Sequence, residues 1–108
     1  MKEEIRRAVV QSAAARISGK SPTSVFSYDQ GKYSFVNDTY DYDAGSHISQ
    51  SSNGFYQYNL GAHVTLSVSG KNFTGYDYES GSHFSGSVNG GSVSIYDYNE
   101  GRYFSYSV

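Results

Sequence analysis

Tyr96-Asp97-Tyr98-Asn99-Glu100-Gly101 is the stretch that decides the fold, because the chain repeats it. Each copy has two aromatic residues at alternate positions and a glycine five positions after the first of them. The copies occupy residues 26–31, 40–45, 56–61, 76–81 and 96–101. Alternation of this kind is typical of a half-buried strand, and a glycine soon after it marks a turn. The repeat therefore predicts five β-hairpins in succession.

The register of these hairpins depends on where the turn begins. We place the second Tyr of each copy at the first turn position, so that the glycine takes a positive φ in a bulge and Tyr96 pairs with Phe104. This register predicts one buried face, made of Tyr40, Ile48, Tyr56, Val64, Tyr76, Phe84, Tyr96 and Phe104. It predicts one exposed polar stripe, a candidate binding surface, made of Asp41, His47, Gln57, His63, Asp77, His83, Asp97 and Tyr103. Within the stripe, Asp41/His47 and Asp77/His83 are predicted cross-strand pairs.

The chain divides into a short N-terminal segment and a long β region that together form one domain. Residues 24–108 predict an all-β antiparallel meander of about ten short strands, built from repeated hairpins. The meander closes into a barrel, folds into a sandwich or stays a curved sheet. Residues 1–20 predict an amphipathic helix, with Ile5, Val9 and Ile17 on one stripe. We expect the helix to lie across an open face or end of the sheet. The alternative is a helix that binds a partner or a membrane surface.

Charge is divided unevenly between these two parts. Five bases against two acids give residues 1–20 a charge of +3, while three bases against eight acids give the rest −5. This opposition favours seating of the helix on its own sheet or on a neighbouring subunit. The acidic β region makes nucleic-acid binding unfavourable, since the phosphate backbone would be repelled.

Composition sets the broad class of the protein. The 108 residues include 12 Tyr, 6 Phe and no Cys. Without cysteines there is no disulfide framework, and we predict a cytoplasmic protein, with secretion through an absent leader left open. No apolar run approaches the roughly 18 residues that span a bilayer, so we expect no membrane partner.

No motif of reaction chemistry accompanies the repeat. The three histidines share one repeat position, but equivalent positions of neighbouring hairpins lie about 9.5 Å apart, too far to share a metal ion. No P-loop, nucleophile elbow or metal-ligand spacing is present. We therefore expect neither a cofactor nor an enzyme, and keep an enzyme with an Asp/His site as the third alternative.

Two binding functions remain. The first is a non-enzymatic module for protein interaction or self-assembly, and the alternative is a glycan-binding module that uses a Tyr-rich face. From Tyr56 to Phe104 the spacing of aromatic residues and glycines resembles that in the repeats of bacterial cell-wall-binding modules, without the Trp that those repeats usually carry. Tyrosines buried throughout would favour the first function, an exposed row of rings the second, and a pocket lined by His and Asp an enzyme.

The last strand, at residues 102–108, bears on self-assembly. It is strongly β-prone and, after Arg102, free of the Lys, Glu or Pro residues that blunt a sheet edge. It can close against the first hairpin, at residues 24–36, or pair with a second copy of the chain. We favour the second outcome and so predict a homo-oligomer.

Overall fold

One helix and ten strands make up the chain, and a computed structural model describes all of them, residues 1–108. The helix is α1 (Glu3–Ser18), and the strands are β1 (Ser24–Ser27), β2 (Lys32–Phe35), β3 (Tyr40–Asp41), β4 (Ser46–Ser51), β5 (Gly54–Gln57), β6 (Ala62–Ser69), β7 (Asn72–Asp77), β8 (Ser82–Asn89), β9 (Ser92–Asp97) and β10 (Arg102–Ser107). The predicted fold class, an all-β antiparallel meander with one N-terminal helix, is confirmed.

The sheet curls into a nearly closed barrel. Strands adjacent in sequence pair antiparallel, and β10 also pairs with β1, so the strand order is β2-β1-β10-β9-β8-β7-β6-β5-β4-β3. The two outer strands of this order meet through a single bridge between Val36 and Asp41, and Tyr42 N–H donates to the Phe35 carbonyl at 2.9 Å. Of the three architectures left open by the sequence, the structure adopts the barrel.

The pairing of β10 corrects the prediction of an edge that recruits a second copy. Ser107 lies opposite Phe26 and Tyr106 lies opposite Ser27, and Tyr106 is buried. Ten twisted strands bring the last strand back to the first, so its backbone groups bond within the chain. The argument for a homo-oligomer from a bare edge is therefore wrong, and oligomerisation remains a prediction without that support.

Helix α1 lies inside the barrel and not across an open face or end of it, so that expectation is also wrong. Ten consecutive residues, 5–14, are buried, which covers the whole circumference of the helix and not one stripe. A 16-residue helix is about 24 Å long, close to the 25 to 29 Å extents of the molecule. Small residues such as Ala8, Ala13 and Ala14 let the helix backbone approach the wall, which is why a sequence with few large apolar residues fits there.

The two ends of the barrel differ. The five loops at residues 28–31, 42–45, 58–61, 78–81 and 98–101 lie at one end, which we call the glycine-turn end. The helix begins at this end, where the Met1 ammonium contacts Asp97. It finishes at the opposite end, where Arg16 donates to the carbonyls of Ser51, Ser52 and Gly54.

The inner face of β7 and β8 is packed by rings laid over glycines. Gly75 lies opposite Phe84, and Phe73 lies opposite Gly86. A Cβ on Gly75 would clash with the Phe84 ring and the Thr65 carbonyl, and a Cβ on Gly86 would clash with the Phe73 ring. Each ring thus occupies the space that a Cβ on the glycine opposite would fill.

The hairpin loops are one residue longer than predicted. Asp97 pairs with Arg102 and Tyr96 pairs with Tyr103, so four residues, 98–101, form the loop. Gly101 has φ 72°, and the equivalent glycines of the other three full copies also have φ between 62° and 70°, which confirms the predicted positive φ. The Asp97 side chain accepts hydrogen bonds from the N–H groups of Asn99 and Glu100. It is therefore Asp, and not the second Tyr, that precedes the turn.

Because of this extra loop residue, the side chains of each first strand lie on the opposite face from the one predicted. Those of each second strand lie on the predicted face. On the second strands, the residues predicted to be buried are buried: Ile48, Val64, Phe84 and Phe104. On the first strands, the tyrosines predicted to be buried face outward: Tyr40, Tyr56, Tyr76 and Tyr96. The residues that take the inner positions instead, each 0% exposed, are Asp41, Gln57, Asp77 and Asp97. A shift of one residue moves a whole strand from one face to the other because side chains alternate.

Candidate functional site

Rings cover the outer surface of the barrel near the glycine-turn end. Each hairpin carries one aromatic residue on its first strand, one in its loop and one ring opposite, on its second strand. The sets are Phe26/Tyr28/Tyr33, Tyr40/Tyr42/His47, Tyr56/Tyr58/His63, Tyr76/Tyr78/His83 and Tyr96/Tyr98/Tyr103. We call these fifteen rings the aromatic girdle. The loop tyrosines are its most regular members, each between 58% and 64% exposed.

Within a hairpin the rings hold one another in place. In the last hairpin the Tyr96 ring lies 4.8 Å from Tyr98 and 4.8 Å from Tyr103, in edge-to-face contacts. In the fourth hairpin Tyr76 contacts Tyr78 and His83 at the same centroid distance. Edge-to-face pairs are the arrangement that aromatic quadrupoles prefer. The loop rings are therefore ordered, and a ligand that binds them does not have to immobilise free side chains.

Backbone hydrogen bonds place three of the five loop tyrosines beside the histidine of the preceding hairpin. The N–H of Tyr98 donates to the His83 carbonyl at 3.3 Å, and Tyr58 donates to His47 in the same way at 3.0 Å. A third copy of this bond joins residues 78 and 63, where the two rings touch with centroids 5.5 Å apart. At the other two junctions a groove opens between the rings.

The larger groove, which we call the Tyr98 groove, crosses the outer face of β6, β7 and β8 and has a volume of about 800 Å³. Tyr76, His83 and Tyr98 line its end nearest the glycine turns. Hydroxyl groups line its middle, from Thr65, Ser67, Thr74 and Ser85. Its one charged residue is Arg16, whose guanidinium is already bonded to three carbonyls and to Gln50 Oε1. The groove thus offers rings and hydroxyls without a free charge.

The smaller groove, which we call the Tyr58 groove, has a volume of about 630 Å³. Its lining residues are Thr39, His47, Ile48, Ser49, Gln50 and Tyr58. None of them is an acid, a lysine or an arginine. A ring at one side, an imidazole at the other and hydroxyl and amide groups between them repeat the chemistry of the Tyr98 groove.

The three acids of the predicted stripe lie inside the barrel, and two of them, Asp41 and Asp97, hold the helix. Arg6 Nη1 donates to Asp97 Oδ2 at 2.8 Å, and Arg7 Nε donates to Asp41 Oδ2 at 2.8 Å. Burial alone would raise the pKa of Asp97, but the hydrogen bonds from the Met1 ammonium and Arg6 outweigh it and hold that pKa below its ordinary value. The basic helix therefore pairs with acids of its own sheet, one of the two seatings expected from the charge division.

The predicted stripe is thus not one surface, and the predicted Asp/His pairs do not exist. Four of its residues point into the barrel: Asp41, Gln57, Asp77 and Asp97. The other four point outward: His47, His63, His83 and Tyr103. Because Asp41 lies opposite Ser46 and His47 lies opposite Tyr40, acid and imidazole are on different faces of the sheet.

The site residues that the sequence reasoning missed are the five loop tyrosines, Tyr28, Tyr42, Tyr58, Tyr78 and Tyr98. Their recurrence at one loop position was the signal that could have found them, since a loop position is exposed whichever face of the strand is buried.

No group of three or more His, Cys, Asp or Glu side chains is close enough together to hold a metal ion. No helix has the length and apolar character needed to cross a membrane. Comparison of the chain with protein-family models, curated proteins and solved structures finds no match.

Proposed function

We propose that this protein is a non-enzymatic binding module that takes neutral glycan chains on its aromatic girdle. The observation that carries the proposal is the row of exposed, mutually ordered loop tyrosines beside grooves lined with hydroxyls. Sugar rings present C–H faces that stack on aromatic rings, and hydroxyls that pair with Ser, Thr and His side chains. An exposed row of rings is also the feature expected of a glycan-binding module from the sequence.

The charges around the girdle support a neutral ligand. The exposed bases at the glycine-turn end each face an acid: Lys2 with Glu79, Lys32 with Asp43, and Arg102 with Asp29. These pairs leave no patch of one sign beside the loop tyrosines. A polymer of high charge would therefore gain little electrostatic attraction there.

A protein partner is the second candidate, and one observation favours it. The outer face combines Tyr with Ser, Asn and Gly, the residues that antibody paratopes use for rigid contact area and adaptable hydrogen bonding. The homo-oligomer predicted from the sequence belongs to this candidate, with the girdle in place of the strand edge as the contact surface.

Cosedimentation with insoluble polysaccharides tests the glycan proposal. We expect the folded protein to pellet with at least one of cellulose, chitin and xylan. Replacing a stacking ring in Tyr98→Ser should weaken binding roughly tenfold, the effect of losing about 1.4 kcal/mol. The matched control is Phe35→Ser, which removes an equally exposed ring outside the girdle.

Two outcomes would count against the proposal. A folded protein that pellets with none of these polysaccharides contradicts it, and so does binding that Phe35→Ser weakens as much as Tyr98→Ser. Sedimentation velocity addresses the second candidate: a dimer that Tyr98→Ser dissociates supports it, and a monomer at all concentrations removes self-association.

A further inference from the structure

We infer that the Tyr58 groove and the Tyr98 groove are one glycan site built twice, so that a single molecule holds two separate chains and cross-links them. This inference rests on the proposed function, and it adds the number of sites and their consequence. It is carried by a correspondence between the two grooves that the hairpin repeat creates.

Four positions of the repeat line both grooves. Counted from the histidine, these are the histidine itself, the inward apolar residue after it, the serine two positions on, and the loop tyrosine of the next hairpin. In the Tyr58 groove they are His47, Ile48, Ser49 and Tyr58; in the Tyr98 groove they are His83, Phe84, Ser85 and Tyr98. The backbone bond from each tyrosine to its histidine carbonyl fixes the same relation in both.

The copy between them is closed, so two of the three junctions between a histidine and a loop tyrosine form a groove. His63 and Tyr78 occupy the equivalent positions, but their rings are in contact and leave no gap for a sugar ring. Thr65, which replaces the serine there, accepts a hydrogen bond from the Tyr76 N–H and lines the Tyr98 groove instead. This copy is a natural internal control.

The two sites face different directions. His47 is on β4 and His83 is on β8, four strands apart in a sheet of ten that closes on itself. Four strands span about 19 Å of a curved wall, so a straight oligosaccharide that lies in one groove does not bend round into the other. Two sites on a rigid body therefore join separate chains, and binding to a polymer network gains avidity that neither site has alone.

The histidines allow each groove to be observed separately by NMR. The protein is titrated with cellohexaose and with chitohexaose, and binding is measured by calorimetry. We expect the oligosaccharide that binds to do so with two molecules per protein. The ring signals of His47 and His83 should shift while that of His63 does not. Tyr58→Ser should abolish the shift at His47 only, and Tyr98→Ser the shift at His83 only. Phe35→Ser, which removes an exposed ring outside the girdle, is the matched control and should leave both shifts in place.

Light scattering of a soluble polymer tests the cross-linking. Wild-type protein mixed with hydroxyethylcellulose or glycol chitin should raise the scattering, and either single variant should bind without raising it. One ligand per protein with a shift at only one histidine overturns the two-site inference and leaves the proposed function standing. Absence of binding by either oligosaccharide and by the insoluble polysaccharides overturns both.

Discussion

At the scale of single residues, the acid of the repeat has two tasks. Asp97 Oδ1 accepts the N–H groups of the loop, and its Oδ2 accepts the Met1 ammonium and Arg6. One carboxylate thus fixes a turn and anchors the helix. Asp41 does the same with its own loop and with Arg7.

Removing the Asp97 carboxylate should be costly, because it leaves buried cations without a partner. We expect Asp97→Ala to lower the free energy of unfolding by about 3 kcal/mol, the lower end for a broken buried pair, since Arg6 keeps its contact with Glu3. Urea denaturation measures the change. Asp29→Ala is the control, because its exposed pair with Arg102 should contribute under about 1 kcal/mol.

Because the pKa of Asp97 is lowered in the folded protein, the free energy of unfolding depends on pH in the acid range. A carboxylate with a folded pKa below its unfolded value stabilises the protein above the unfolded pKa, and this stabilisation is lost as pH falls through the folded pKa. We expect the unfolding free energy of the wild type to fall as pH drops below the unfolded pKa of an Asp, about 3.9, toward the lower folded pKa of Asp97. The fall should be smaller in Asp97→Asn, which cannot titrate, and an equal slope in both proteins would refute the assignment.

At the scale of elements, the strands and turns followed from the sequence, but half of the strand orientations did not. Periodicity two and recurrent glycines suffice to find five hairpins. The loop length was ambiguous by one residue, because a Tyr-Asp-Tyr alternation fits a strand whose tyrosines face the core and equally a strand whose Asp faces the core. The structure puts Asp97 inside, where it accepts hydrogen bonds from its own loop and, across 91 residues, from Arg6, a partner that a local pattern cannot contain. The loop tyrosines were missed because the predicted loop was one residue too short and began after the second Tyr of each copy.

The packing of β7 against β8 predicts a large effect from a single methyl group. Gly75→Ala would place a Cβ against the Phe84 ring and the Thr65 carbonyl, so we expect a loss of about 2 to 3 kcal/mol from overpacking. Chemical denaturation measures it. Gly91→Ala adds the same methyl group where the nearest atom is 3.1 Å away and φ is not positive, and should change stability much less.

At the scale of the whole molecule, the barrel has one weak seam, between β2 and β3. Beyond the single backbone bridge, it is joined by side chains: Ser34 donates to Asp43 Oδ2 at 2.7 Å, and Lys32 Nζ lies 3.1 Å from the same oxygen. The Ser34 hydrogen bond, together with Lys32, holds the pKa of Asp43 below its ordinary value. Closure and the position of the helix could not be predicted, since both depend on the total curvature of ten strands.

Breaking the side-chain part of the seam should open it locally. We expect Asp43→Ala to speed hydrogen exchange at the Tyr42 N–H, which bonds across the seam, while the Tyr98 N–H, in the equivalent loop position elsewhere, keeps its rate. Exchange that rises equally at both amides would mean that the whole barrel loosens, and the seam would then not be a separate weak point.

Enclosure of α1 by a sheet whose first and last strands pair has a consequence for folding. The helix is made before any of the strands, yet the wall around it is completed only when β10 reaches β1, after all ten strands have left the ribosome. Until the barrel closes, the buried arginines of the helix have only some of their hydrogen-bonding partners. Folding should therefore be late and cooperative, and once the barrel has closed the helix can leave only if strands separate, which makes slow unfolding its main protection against proteases.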